Sequence, residues 1–113
     1  MAQATDRQPI RELQTWISEH PADDLSVVAL ARRAAMSPRN FARVFTREVG
    51  VTPARFVERA RVEAARRRLE ESSLGIDAVA NECGFGSAEI MRRTFLRTLR
   101  VKPTDYRHRF RIA

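Results

Sequence analysis

Apolar residues recur along the chain every three or four positions, and strand-like alternation is missing, so the pattern predicts helices throughout. Ile10, Leu13, Trp16 and Ile17 form one stripe, which predicts a first helix from about Gln8 to His20 with Pro9 in its first turn. Pro21 and Asp23-Asp24 end it. A second helix is expected over about Ser26 to Ala35, carrying Val28, Ala31 and Ala34. Ser37-Pro38 is a cap followed by proline at the first helical position, opening a third helix to about Val49. Gly50, Thr52 and Pro53 repeat that punctuation and start a fourth helix that runs to about Glu70.

After Glu71-Ser72-Ser73 the plan returns. Leu25, Leu30, Ala31, Ala35 and Met36 align with Leu74, Val79, Ala80, Gly84 and Phe85, all 49 positions on. One extra residue, Gly86, changes the offset to 50, and Ser37, Phe41, Phe45, Pro53 and Phe56 then meet Ser87, Met91, Phe95, Pro103 and Tyr106. Such a period implies two copies of one short helical unit. The fold class is therefore all-α: a first subdomain over 8–52, a linker helix over 53–71 and a second subdomain over 72–109.

Each copy reads as helix, tight turn, helix, with Ala35 or Gly84 at the turn, where a left-handed backbone is needed. The second helices bury Phe41, Val44 and Phe45, or Met91 and Phe95 with Leu99. This is the grammar of a helix-turn-helix, whose second helix enters the DNA major groove. With Phe41 set to zero on a helical wheel, Arg39, Arg43 and Arg47 fall at about 160°, 200° and 240°. Glu89, Arg93 and Arg97 take the same angles around Met91. A solvated helix face explains one such stripe; it does not predict two in register with a repeat.

Arginine on that face has a chemical reason, because its planar fork matches guanine O6 and N7. Arg43 and Arg93 are the expected base contacts, with Arg39, Asn40, Glu89 and Arg92 alongside. Glu89 has two readings: it accepts from cytosine N4, or it pairs with Arg93 four residues on. Arg47 and Arg97, one turn further along, are expected to meet phosphate. Ser37 and Ser87 are helix caps that also place a helix N-terminus against phosphate.

Charge sharpens the picture. The net value is +7, and 20 of the 21 basic residues are arginine, Lys102 being the exception. The excess is uneven: residues 1–24 carry −3 and residues 25–113 carry +10, which makes the first segment a mildly acidic lid. Such a field asks for a polyanion. On the fourth helix most charge reads as solvated surface, with Glu63 oriented to pair with Arg67, while Phe56, Val57, Ala60, Ala64 and Leu69 pack inward. That helix spans about 27 Å, near the ~34 Å between successive major grooves on one face of a duplex.

Other chemistries find no purchase. Apolar runs are too short for a bilayer, and Met1 to Pro9 lacks the apolar core of a secretory signal. Cys83 has no disulfide partner and reads as a small buried residue in a reducing compartment. His20 and His108 have no ligand-spaced partner, so no metal or cofactor is expected. Gly84-Phe85-Gly86-Ser87 lacks the strand and third glycine of a nucleotide loop, and no catalytic set is present.

Leu30-Ala31, Met36 through Phe45, Gly50 through Pro53, Ile76 to Phe85, Ser87, Arg93-Thr94-Phe95, Pro103 and Tyr106-Arg107 together resemble the DNA-binding domain of the AraC/XylS family of bacterial transcription regulators. The resemblance covers about Ile10 to Arg109. It implies a seven-helix bundle with two homeodomain-like helix-turn-helix lobes on one linker helix, each inserting a helix into one of two neighbouring major grooves. It further implies a cytoplasmic regulator that is not an enzyme, with double-stranded DNA as partner and RNA polymerase as a second contact. Family members usually carry this domain behind an effector-sensing or dimerising one, so the chain is expected to be a standalone regulator or an excised, monomeric domain. Arg100 departs from the pattern, standing where Gly50 stands in the first copy; a basic residue there is expected to reach phosphate. The competing reading, from another class, is a basic helical module binding RNA or an acidic protein without sequence preference.

Overall fold

Serine caps, prolines at first helical positions and left-handed stops punctuate the chain much as the sequence implies. The computed structural model describes residues 2–111, and among them there are seven helices and no strand. They are α1 (Ala2–Glu19), α2 (Val27–Arg33), α3 (Pro38–Val49), α4 (Pro53–Glu71), α5 (Ile76–Glu82), α6 (Ala88–Leu99) and α7 (Pro103–Phe110). Ser26, Ser37 and Ser87 take extended backbone and accept from the N–H three residues on, at 3.2, 3.2 and 3.1 Å. Each satisfies a donor that the first helical turn leaves unpaired.

The chain divides into two compact units, one ending at Arg59 and the other beginning at Ala60, with α4 shared between them. In the first, Ile10, Leu13, Ile17, Leu25, Leu30, Phe41, Val44, Phe45 and Val57 are buried. Phe45 meets Phe41 and Phe56, each with ring centroids 5.5 Å away. In the second, Val62, Ala65, Leu69, Val79, Cys83, Met91, Phe95 and Tyr106 form the core, and Leu99 packs against it half-buried.

Three expectations need correction. Helix α1 starts at Ala2, so Pro9 lies inside it rather than in its first turn. A proline there removes one backbone donor, and the packing of Ile10, Leu13 and Ile17 holds the helix beyond it. Trp16 is half-exposed rather than in the core: the Arg33 guanidinium lies 3.5 Å from its ring centroid, and His20 stacks on it at 4.4 Å. On α4, Val57, Ala64 and Leu69 are buried as expected, Val62 and Ala65 join them, and Phe56 lies half-buried against Phe45, but Glu63 pairs with Arg66 at 3.1 Å instead of Arg67. Arg66 is already fixed there, because its Nε donates to the Tyr106 hydroxyl at 3.0 Å.

The end of α4 is tied to α7. Tyr106 donates its hydroxyl to Glu70, and Arg107 donates to the backbone carbonyls of Leu69 (3.2 Å) and Ser72 (3.3 Å), which the helix end would otherwise leave bare. Burial, and then the bond to Glu70, push the Tyr106 phenol above its ordinary pKa. Burial likewise raises the Cys83 thiol and keeps it protonated.

Candidate nucleic-acid interface

The turn within each copy is built the same way, atom for atom. Met36 N–H donates to the Ala31 carbonyl and Phe85 N–H to the Ala80 carbonyl, both at 2.9 Å. Ala35 N–H donates to the Arg32 carbonyl at 3.1 Å, and Gly84 N–H to the Asn81 carbonyl at 3.2 Å. With φ of 57° at Ala35 and 86° at Gly84, both are Schellman stops, and the 49-residue period is a repeat in space as well as in sequence. Gly86, the inserted residue, adds a further positive φ of 86° before the Ser87 cap.

These turns deliver α3 and α6. On α3, Phe41, Val44 and Phe45 face the core, while Arg39, Asn40, Arg43 and Arg47 are exposed. On α6, Met91 and Phe95 face the core, while Glu89, Arg93 and Arg97 are exposed. Thr94 is also buried, where its counterpart is Val44; its Oγ1 donates to the Ile90 carbonyl at 2.8 Å, which lets a hydroxyl enter the core. The capping hydroxyls of Ser37 and Ser87 lie exposed at the two helix starts. The first unit thus brings Arg39, Asn40 and Arg43 to one exposed face, and the second brings Glu89 and Arg93 but not Arg92.

The side chains on those faces are already engaged with one another. Arg43 donates to Asn40 Oδ1 at 2.6 Å. Arg92 grips Glu89 with two bonds, 2.9 Å from Nε and 2.7 Å from the terminal nitrogen, and Arg93 Nε stands 3.6 Å away. The principal ion pair of Glu89 is therefore with Arg92, three residues on, rather than Arg93, because only Arg92 reaches it with both forks. Arg92's hydrogen bonds, followed by the nearby charges of Arg92 and Arg93, hold the Glu89 carboxyl below the usual range, and the same bonds raise Arg92. Arg92 is half-buried, so it lies off the centre of the exposed face.

Arg100 caps α6 with φ 61° and ψ 26°, a left-handed conformation that Gly50 adopts at the end of α3 with φ 91°. The chain keeps the turn and leaves the guanidinium exposed at the helix end.

Sequence reasoning missed two features. Arg7 and Arg11 line an open depression with Ile10, Gln14, Arg47 and Glu48, so the acidic first segment contributes cations beside α3. There Glu48 pairs with Arg7 at 3.3 Å and Arg47 at 3.2 Å. The signal was in the register, since Arg7, Arg11 and Gln14 share one helical face. The other feature is Ile90, an exposed isoleucine on α6 at the position of Asn40. Among the described residues no three His, Cys, Asp or Glu side chains gather to hold a metal.

Comparison with known proteins bears on the same residues. A family model described as a helix-turn-helix domain matches residues 30–109. The chain is 58% identical over 81 residues to the HTH-type transcriptional regulator Rv1931c of Mycobacterium tuberculosis, covering 72% of this chain and 31% of that protein. The chain spans about a third of the length of the curated relatives it matches. Among solved structures it is similar to the DNA-binding domain of AdpA, a global transcriptional factor solved in complex with a target DNA. The identity is 38%, the TM-score 0.85, and coverage 90% of this chain and 92% of that one. A transcriptional regulator from Chromobacterium violaceum, described as AraC-type, shares the fold at a TM-score of 0.81 and 23% identity, covering 94% and 95%.

Proposed function

Because the chain belongs to the AraC-type family of helix-turn-helix domains, we propose that it binds double-stranded DNA sequence-specifically in the regulation of transcription, placing α3 and α6 in successive major grooves. The observation that carries this reading is the matched exposure of Arg39, Arg43 and Arg47 on one second helix and of Glu89, Arg93 and Arg97 on the other. Arg43 and Arg93 read guanine edges, and Arg39, Asn40, Glu89 and Arg92 read neighbouring positions. Ser37, Arg47, Ser87, Arg97 and Arg100 hold phosphate and set the register. The domain acts in the bacterial cytoplasm as a monomer without catalysis, and RNA polymerase is its second partner.

Titration of duplexes selected from a random pool, repeated at several salt concentrations, tests the reading. A preferred site bound about 10³-fold or more above unrelated DNA supports it, and a salt-dependent affinity indifferent to sequence replaces it with a non-specific polyanion binder. Arg43→Ala or Arg93→Ala is expected to relax preference at a few base pairs in one half of the site, by about 1–3 kcal/mol each. An equal loss on every sequence reassigns both to phosphate.

A further inference from the structure

We propose that Ile90 is a base-reading residue of α6 and recognises the C5-methyl group of a thymine. The inference rests on the DNA-binding reading above and adds a specificity determinant to it. Ile90 is 45% exposed, in the first turn of α6, the part of a recognition helix that reaches base edges. On the helix it stands about 60° from Arg93 and about 20° from Arg97, within the same exposed arc.

Packing gives no reason for an isoleucine there. Leu74, Ile76, Leu99 and Val101 are the partly buried residues that pack on the second unit's core, and Ile90 is outside that set. Met91 and Thr94 beside it already fill the inward face. Glu89, next to it in sequence, is bound to Arg92. Ile90 therefore offers a hydrocarbon surface and nothing to donate or accept. Among the four base pairs seen from the major groove, the thymine methyl is the feature such a surface matches. In the first copy the same register holds Asn40, whose amide already accepts from Arg43 and is suited to adenine. The two helices are thus set to read different bases at corresponding positions, and the site they read is asymmetric.

The test uses the duplex selected from the random pool, with each thymidine of the α6 half-site replaced in turn by deoxyuridine, which pairs identically and lacks the methyl. At one thymine the loss is expected to be about three- to fivefold, the worth of one buried methyl. Ile90→Ala is expected to bind the thymine and uracil duplexes equally at that position, and Ile90→Asn to change the base preferred there. Because the side chain is exposed, both variants should melt with the parent, which separates reading from folding. Indifference of the parent protein to every replacement overturns the assignment while sequence-specific binding stands. Undiminished methyl dependence in Ile90→Ala overturns it equally. A chain with no sequence preference at all removes the functional reading and this assignment with it.

Discussion

Replacing Arg100 by glycine should raise thermal stability and lower DNA affinity at once. Arg100 is held at φ 61° and ψ 26°, a region in which an L side chain crowds its own carbonyl and costs about 1–2 kcal/mol. Glycine removes that cost but returns about 0.4–1 kcal/mol through a looser unfolded chain. It also forfeits the attraction between a cation and a helix C-terminus, about 0.3 kcal/mol at an exposed site. Arg100→Ala loses the charge and keeps the strain, so the comparison of the two variants isolates the backbone. Arg100→Gly is expected to be about 1 kcal/mol more stable than Arg100→Ala, or about 4 °C in a far-UV circular dichroism melt, and to lie above the parent by about half that. Both variants should lose the same amount of binding, with the salt slope shallower by about 0.9 if Arg100 meets one phosphate. Equal melting temperatures for the glycine and alanine variants would refute the strain argument. An unchanged salt slope in both would remove Arg100 from the phosphate contacts.

Arg47→Ala and Arg97→Ala should each flatten the salt dependence by about 0.9 while leaving sequence preference intact; a changed preference in the selected pool makes them base readers. Phe95→Ala should cost about 3–5 kcal/mol in urea melts, while Arg93→Ala, on the exposed side of the same helix, should stay within about 0.5 kcal/mol of the parent. Tyr106 contributes a pH signature. Its folded phenol ionises later than the unfolded one, so the stability it supplies is complete below about pH 10 and is lost as pH rises through the folded value. Urea melts between about pH 8 and 11 should therefore show a decline in the parent that is smaller in Tyr106→Phe, and parallel curves would count against the buried Tyr106 phenol as its source.

Much of the fold was legible because local chemistry and tertiary packing agree. Ser37-Pro38, Gly50 and Pro53 mark helix ends by their own backbone preferences, and the structure uses them so. The repeat was legible because Ala31/Ala80 and Ala35/Gly84 do the same job in identical turns. The start of α1 was not, because proline usually marks a first turn, and the turns before Pro9 lack the apolar stripe that follows it; Arg7 there is tied to Glu48 instead. Trp16 misled for a related reason: periodicity reports which face a residue is on, not whether a neighbour such as Arg33 shares the surface with it. On the candidate site the angles of Arg43 and Arg93 were readable, but partners were not. Whether Glu89 reaches Arg92 or Arg93 depends on rotamers, and both spacings are allowed on a helix.

The partners matter because they make the two reading helices electrostatically unlike. On α3, Arg43 is held by a neutral amide and keeps its full charge for the groove, with Arg39 exposed near it. On α6 the first turn pairs Glu89 with Arg92, so the charge of that turn nearly cancels and the positive field there comes from Arg93 and Arg97. Beside α3 a carboxylate is paired as well, Glu48 with Arg7 and Arg47. Each helix carries three arginines against one glutamate, so the difference lies in where the carboxylate sits: in the last turn of α3, and in the first turn of α6, the part of a recognition helix that reaches base edges. Discrimination at α6 should then lean more on short-range fit than discrimination at α3. Neutralising Glu89 by Glu89→Gln should move α6 towards α3: nonspecific affinity rises and its salt dependence steepens. If that substitution leaves nonspecific binding unchanged, the Glu89–Arg92 pair is not what restrains the second helix, and the asymmetry must arise from the base contacts alone.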